Sequence, residues 1–316
     1  MRQNIPDNFL LSAEVATALN QNQPLVALES TVITHGLPHP VNLSLARDME
    51  KEVRSQGAVP ATIGLMDGKV HIGLLDAELE QIATAEKGIR KVSRRDFGIA
   101  LARHEMGGTT VAGTLFAAHR VGLRVMATGG IGGVHRGTAF DISSDLNELN
   151  RTPMIVVCAG AKAILDLPAT VEMLETMGVP IIGYQTDEMP AFYSTSSGLP
   201  VTESVMTPQE IAEIARSHWE AGLASAILVV VPPPAEAAIP AELIDQAICQ
   251  ALDESHQLHI TGAKVTPFLL QRVSELSGGA SLQANLALLL NNARLAARIA
   301  VELTPMLRQK PHQFFV

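Results

Sequence analysis

Aromatic residues are scarce in this chain, at 3% of its 316 residues, so a core must be built from Ala, Val, Leu, Ile and Met. Cysteine is scarcer still. Cys158 and Cys249 are the two present, and their spacing fits neither a metal site nor a disulfide framework. Charged residues make up 17% against 47% apolar, a balance that excludes disorder as the main state. The net charge of −9 argues against binding a nucleic-acid backbone, whose recognition rests on Lys and Arg. It leaves room for a local basic pocket that takes one small phosphate. No apolar run reaches the roughly 18 residues of a membrane span, and the polar N-terminus shows no signal-peptide core. These absences predict a cytoplasmic protein with neither a membrane nor a nucleic-acid partner.

What the chain does have is alternation. Short apolar runs and amphipathic stretches follow one another throughout, the pattern of an α/β layered fold. Pro24–Leu28, Leu123–Ala127, Met154–Ala159, Val179–Tyr184 and Ala226–Val231 read as strands. Asp67-Gly68 between two apolar runs predicts a hairpin, and with it a mixed sheet. Residues 1–11 read as a loose arm, Val32–Pro40 as a loop, and Ser12, Asn42 and Ser144 as helix caps. Helices are expected over Pro208–Glu220 and Ala241–Ser255, with the longest over Leu282–Leu303. No repeat, low-complexity tract or linker interrupts residues 1–316, which predicts one domain.

The organising stretch is Ala127-Thr128-Gly129-Gly130-Ile131-Gly132-Gly133-Val134-His135-Arg136-Gly137, followed by Phe140-Asp141-Ile142-Ser143-Ser144-Asp145. Its glycines allow positive φ and close approach to a ligand, at the strand end where open α/β sheets bind ligands. Other strand tips also carry ionisable groups. Glu29 could be a general acid or base with its pKa raised in a pocket, or a salt-bridge or cap partner. Lys162, in Cys158-Ala159-Gly160-Ala161-Lys162-Ala163, could be a Schiff-base nucleophile or a snorkelling surface lysine. Lys91 belongs to a basic cluster suited to phosphate, or to a solvated turn. Asp141, Asp145 and His135 could hold a hard divalent cation, though Asp145 could equally complement a helix dipole.

Several familiar motifs fail. Gly130-Ile131-Gly132 has His135 where a dinucleotide fingerprint needs glycine, and Gly160-Ala161-Lys162-Ala163 lacks the rest of a P-loop. No serine sits in a nucleophile elbow.

Taken together, Ala27-Leu28-Glu29-Ser30-Thr31, Gln56–Thr62, Lys91-Val92-Ser93-Arg94-Arg95-Asp96, Ala127–Gly137, Phe140–Ser143 and Val157–Lys162 resemble the pseudouridine-5′-phosphate glycosidase family, which includes the indigoidine-cluster A-type proteins. Gly183–Thr186, Thr266–Leu270 and Asn291–Ala293 continue the resemblance, which nearly fills the chain. It implies a three-layer α/β/α sandwich around a mixed, mostly parallel sheet. The implied reaction is reversible cleavage of pseudouridine 5′-phosphate with water to uracil and ribose 5-phosphate. Because the bond is carbon–carbon, a pair of carboxylates would have to expel a carbanion; an opened ribose joined to a lysine as an imine supplies an electron sink instead.

Carried over by the resemblance, Lys162 is the Schiff-base lysine and Glu29 the acid/base that assists ring opening. Asp141 is the metal position, with Mn2+ implied. Lys91, Val111, Ser143, Ser144 and Asp145 match substrate-contacting positions; His135 and Asn285 join them as weaker matches. A homotrimer is also implied. Two other classes compete: a Schiff-base aldolase acting on a sugar phosphate, and a non-catalytic sugar-phosphate-binding module. Within the family, a pigment-pathway substrate is a further alternative.

Overall fold

The computed structural model describes residues 5–85, 88–137, 140–260 and 265–308; the side chains of Thr266 and Pro267, part of one resemblance motif, lie outside the described residues. Strands alternate with helices as the apolar spacing predicts. Five short β-branched or aliphatic runs lie in parallel at the centre in the order Leu25–Leu28, Val125–Ala127, Ile155–Cys158, Ile227–Val230 and Ile181–Tyr184. Strands covered on both faces read as unbroken apolar runs, and all four residues of Ile155–Cys158 are fully buried.

Asp67-Gly68 does form the predicted two-residue turn. Both residues take positive φ, and Met66 pairs antiparallel with Lys69. This ribbon flanks Leu25–Leu28 and carries Met106–Thr109 and Ile89–Val92 with it. The sheet is therefore mixed and mostly parallel. The helix Ala280–Arg308 packs on the central strands between Val41–Ser55 and Pro208–Glu220, while Val111–Arg120 and Ser144–Arg151 pack together on the other side. This is the α/β/α arrangement. Among the described residues, no helix is long and apolar enough to cross a membrane.

Several local expectations are corrected. The arm is not loose throughout, because Phe9–Leu11 pairs in parallel with Val70–Ile72. Val32–Gly36 is a π-helical turn, not an open loop. Asn42 does not cap its helix. It lies one residue inside Val41–Ser55 and donates to the carbonyls of Ile33 and Ala83 at 2.8 and 2.9 Å, tying three segments together. Ser143, not Ser144, is the cap of Ser144–Arg151. It takes the extended conformation a cap needs and accepts from the Asp145 amide.

Candidate active site

The carboxyl ends of the central strands converge on a cavity of about 50 Å³. Leu25–Leu28 delivers Glu29, Val125–Ala127 delivers Thr128, Gly129 and Gly130, and Ile155–Cys158 leads to Lys162. Lys91 enters from Ile89–Val92 and Asn285 from the long C-terminal helix. Glu29, Thr128 and Lys162, far apart in sequence, thus share one wall because parallel strands end on the same side.

Glu29 is 7% exposed. One carboxylate oxygen accepts the hydroxyl of Thr128, and the residue lines the cavity. Burial raises the Glu29 pKa above the usual carboxylate value; the charge of Lys162 and the Thr128 hydrogen bond oppose this without cancelling it. Glu29 therefore holds its proton more readily than an exposed carboxylate does, which suits a group that gives and takes a proton.

Neither the Lys91 nor the Lys162 side chain makes a hydrogen bond or ion pair among the described residues. Burial, then the neighbouring Lys162 charge, lowers the Lys91 pKa, while Asp145 and Glu29 pull it back. Two partly enclosed amines without a dedicated counter-ion suit an anionic substrate and a nucleophile.

Asp145 sits in the first turn of its helix, as the dipole reading expects. Its two oxygens accept the amides of Ala112 and Gly132, each at 2.9 Å. It thereby clamps the glycine loop to the N-terminal turn of Val111–Arg120, where Val111 is the first helical residue. Ser144 Oγ meets Ser93 Oγ at 2.7 Å, so Ser143, Ser144 and Asp145 lie beside the turn that follows Lys91. Glu148 anchors the same helix. Fully buried, it accepts from Arg94, Arg151 and Thr152. Asp145→Asn would turn one acceptor into a donor facing a backbone N–H. We expect it to lower stability by about 1–3 kcal/mol, as read by urea unfolding.

The glycine loop departs from expectation. Of its five glycines only Gly137 takes positive φ. The others make room for protein side chains: a Cβ on Gly132 would stand 2.2 Å from Ser143 Oγ, and one on Gly130 would stand 2.6 Å from the Phe192 ring. Close approach, more than conformational freedom, requires these glycines. His135 and Asp141 are not in the cavity wall. The His135 amide donates to the Asp141 carbonyl at 2.9 Å, and the Asp141 side chain is exposed. Among the described residues no group of three His, Cys, Asp or Glu converges on a point. One free carboxylate still fits a hard cation that completes its shell with water and substrate phosphate.

Sequence reasoning assigned no role to Thr128, Ser93, His35, Phe192 or Asn292. Thr128 could have been suspected as the first polar residue after a buried strand. Phe192 could not. It lines the cavity with a positive φ of 64° and is 2% exposed, a strained placement set entirely by tertiary contacts. Asn292 is buried and donates to the Thr128 carbonyl at 2.8 Å, fixing the loop from behind.

Comparison with known proteins identifies a family. A family model described as indigoidine synthase A-like protein matches residues 14–302. A protein of Geobacillus kaustophilus (strain HTA426), named pseudouridine-5′-phosphate glycosidase, is 52% identical over 300 residues, covering 94% of this chain and 99% of its own. One of the same name from Paracoccus denitrificans (strain Pd 1222) is 53% identical over 299 residues, with 94% and 98% covered. Among solved structures, prealnumycin C-glycosynthase in complex with ribulose 5-phosphate is 40% identical, with a TM-score of 0.89 and coverage of 96% of this chain and 100% of its own. An indigoidine synthase A-like protein from Thermotoga maritima MSB8 is 37% identical, with a TM-score of 0.86 over 94% and 96%.

Proposed function

The chain belongs to the indigoidine synthase A-like family, and from that premise we propose that it is a pseudouridine-5′-phosphate glycosidase, joining and cleaving the carbon–carbon bond between uracil and ribose 5-phosphate. The observation that carries this reading is the pair of unpaired amines, Lys162 and Lys91, facing a buried Glu29 across one small cavity. The names of the relatives, a glycosidase and a C-glycosynthase, favour C-glycoside chemistry over an aldolase or a binding module.

In the condensing direction Lys162 Nζ adds to the C1 aldehyde of open-chain ribose 5-phosphate and water leaves, forming an imine. Uracil C5 then attacks the imine carbon, and the electron pair moves to nitrogen. C5 loses its proton, so the base recovers its ring system. O4 of the sugar replaces nitrogen on C1, its proton passing through the Glu29 carboxylate to the departing nitrogen, and Lys162 is released as the amine. The sum is ribose 5-phosphate plus uracil giving pseudouridine 5′-phosphate plus water. Cleavage retraces these steps, with Glu29 protonating O4 as the ring opens. Its raised pKa keeps that proton available.

Lys91 and the N-terminal turn at Val111 are suited to the phosphate, with Ser143 and Ser144 beside them. Asn285, an uncharged amide in the cavity wall, is suited to the base amides. Asp141 would hold the divalent cation, Mn2+ in our reading, with His135 adjoining. When bound, the ion supplies positive charge near the phosphate. The family resemblance also supports a homotrimer.

The test is incubation with uracil, ribose 5-phosphate and Mn2+, followed by chromatography and mass spectrometry. We expect a condensed product separable from uridine monophosphate that is lost on adding chelator and restored by Mn2+. A folded enzyme that makes no such product contradicts the function; product unaffected by chelator contradicts the metal.

A further inference from the structure

The catalytic cavity has a neighbour. A cleft of about 480 Å³ lies beyond it, and the two share His35, Gly36, Leu270 and Asn285 in their walls. These four residues form a thin partition, contributed by the π-helical turn on one side and by helices Val265–Leu276 and Ala280–Arg308 on the other.

The two compartments differ in charge. The inner one holds Lys91 and Lys162. Among the described residues the outer one has no Lys or Arg in its wall. Gln271, Ser274 and Ser281 line it, with Glu275 as its acid, held as a carboxylate by Arg272 at 2.8 Å. A phosphate dianion finds no lining cation on that side among the described residues, whereas an uncharged ring with amide edges finds neutral partners. Burial and the Lys91 charge also lower the His35 pKa, so the partition itself presents a neutral imidazole.

The proposed chemistry imposes an order that needs such a division. While the sugar is covalently held at Lys162, the base must leave or arrive separately. A path through the shared wall lets it do so without passing the fixed sugar phosphate.

We propose that the outer cleft is the route of the uncharged pyrimidine base, with Leu270 as the side chain it must pass. The proposal rests on the C-glycosidase reading and adds a path and a gate to it. Leu270 is half-buried, so a larger side chain there can be accommodated without opening the core.

The test compares wild type with Leu270→Trp and Leu270→Ala in the condensation of uracil with ribose 5-phosphate, alongside borohydride trapping of ribose 5-phosphate on Lys162. The tryptophan variant is expected to raise KM for uracil about tenfold or more while leaving KM for ribose 5-phosphate unchanged, the split expected when one substrate's access alone is hindered. Trapping on Lys162 at the wild-type half-saturating concentration shows that the variant is folded. The alanine variant, which widens the partition, is expected to keep KM for uracil at or below wild type. An unchanged KM for uracil in Leu270→Trp would overturn the route, and so would equal rises for both substrates. A wild-type enzyme that traps ribose 5-phosphate but makes no C-glycoside would instead remove the reading on which the route rests.

Discussion

Lys162→Ala is expected to lower turnover by about 10⁴-fold or more, because it removes the group that bonds to the sugar. Nothing nearby can replace it. Lys91 is the other amine in the cavity, but it approaches from Ile89–Val92, on the opposite side of Glu29's strand from Lys162. The loss should fall on kcat, with the variant still folding, since Lys162 makes no side-chain hydrogen bond or ion pair among the described residues. Steady-state assay in both directions checks this. Turnover within tenfold of wild type would remove Lys162 from the covalent role.

Glu29→Gln combines a large loss with a gain. Turnover should fall by about 10²–10⁴-fold, the usual contribution of a positioned acid/base. Glutamine preserves the acceptor for Thr128, so geometry is kept and only proton transfer is lost. Stability should move the other way. Burial raises the folded-state pKa of Glu29, so ionisation is penalised in the fold and free in the unfolded chain. The wild-type protein is therefore most stable below the unfolded pKa of about 4.3, and it loses stability as pH rises through the higher folded value. The neutral amide escapes that loss. Melting temperatures of the two proteins should coincide in acid and diverge towards neutral pH, with Glu29→Gln the higher. A variant that is less stable at neutral pH would mean that Lys162 outweighs desolvation.

Such a trade is expected where function needs a buried acid beside two amines. The site is assembled against local preference, and that is also why the sequence revealed only part of it. Glu29 and Lys162 could be singled out because each directly follows an apolar run, and the end of a buried strand has few uses for a charge unless a cleft is there. The link between Glu29 and Thr128 spans 99 positions; no periodicity encodes it. The strand Phe9–Leu11 escaped notice for the same reason, since its partner Val70–Ile72 lies about sixty residues on. Conversely, Asp67-Gly68 and Pro208–Glu220 were legible because turn chemistry and a capping box at Thr207 and Glu210 are local.

The glycine loop shows where local reading misleads. Runs of glycine suggest positive φ, yet Gly130 and Gly132 serve Phe192 and Ser143, which arrive from 62 and 11 residues downstream. What sequence could not supply was the identity of those neighbours. Asp145 is similar: its place in the first helical turn was foreseeable, but its two amide partners come from separate segments.

The central claim is that the sugar is held covalently at Lys162. The direct measurement is reduction with borohydride in the presence of ribose 5-phosphate alone, followed by proteolysis and peptide mass spectrometry. The predicted result is one reduced ribose 5-phosphate on the peptide containing Lys162, absent from Lys162→Ala and undiminished in Glu29→Gln. An adduct on Lys91, or no adduct from an enzyme that still makes the C-glycoside, would contradict it.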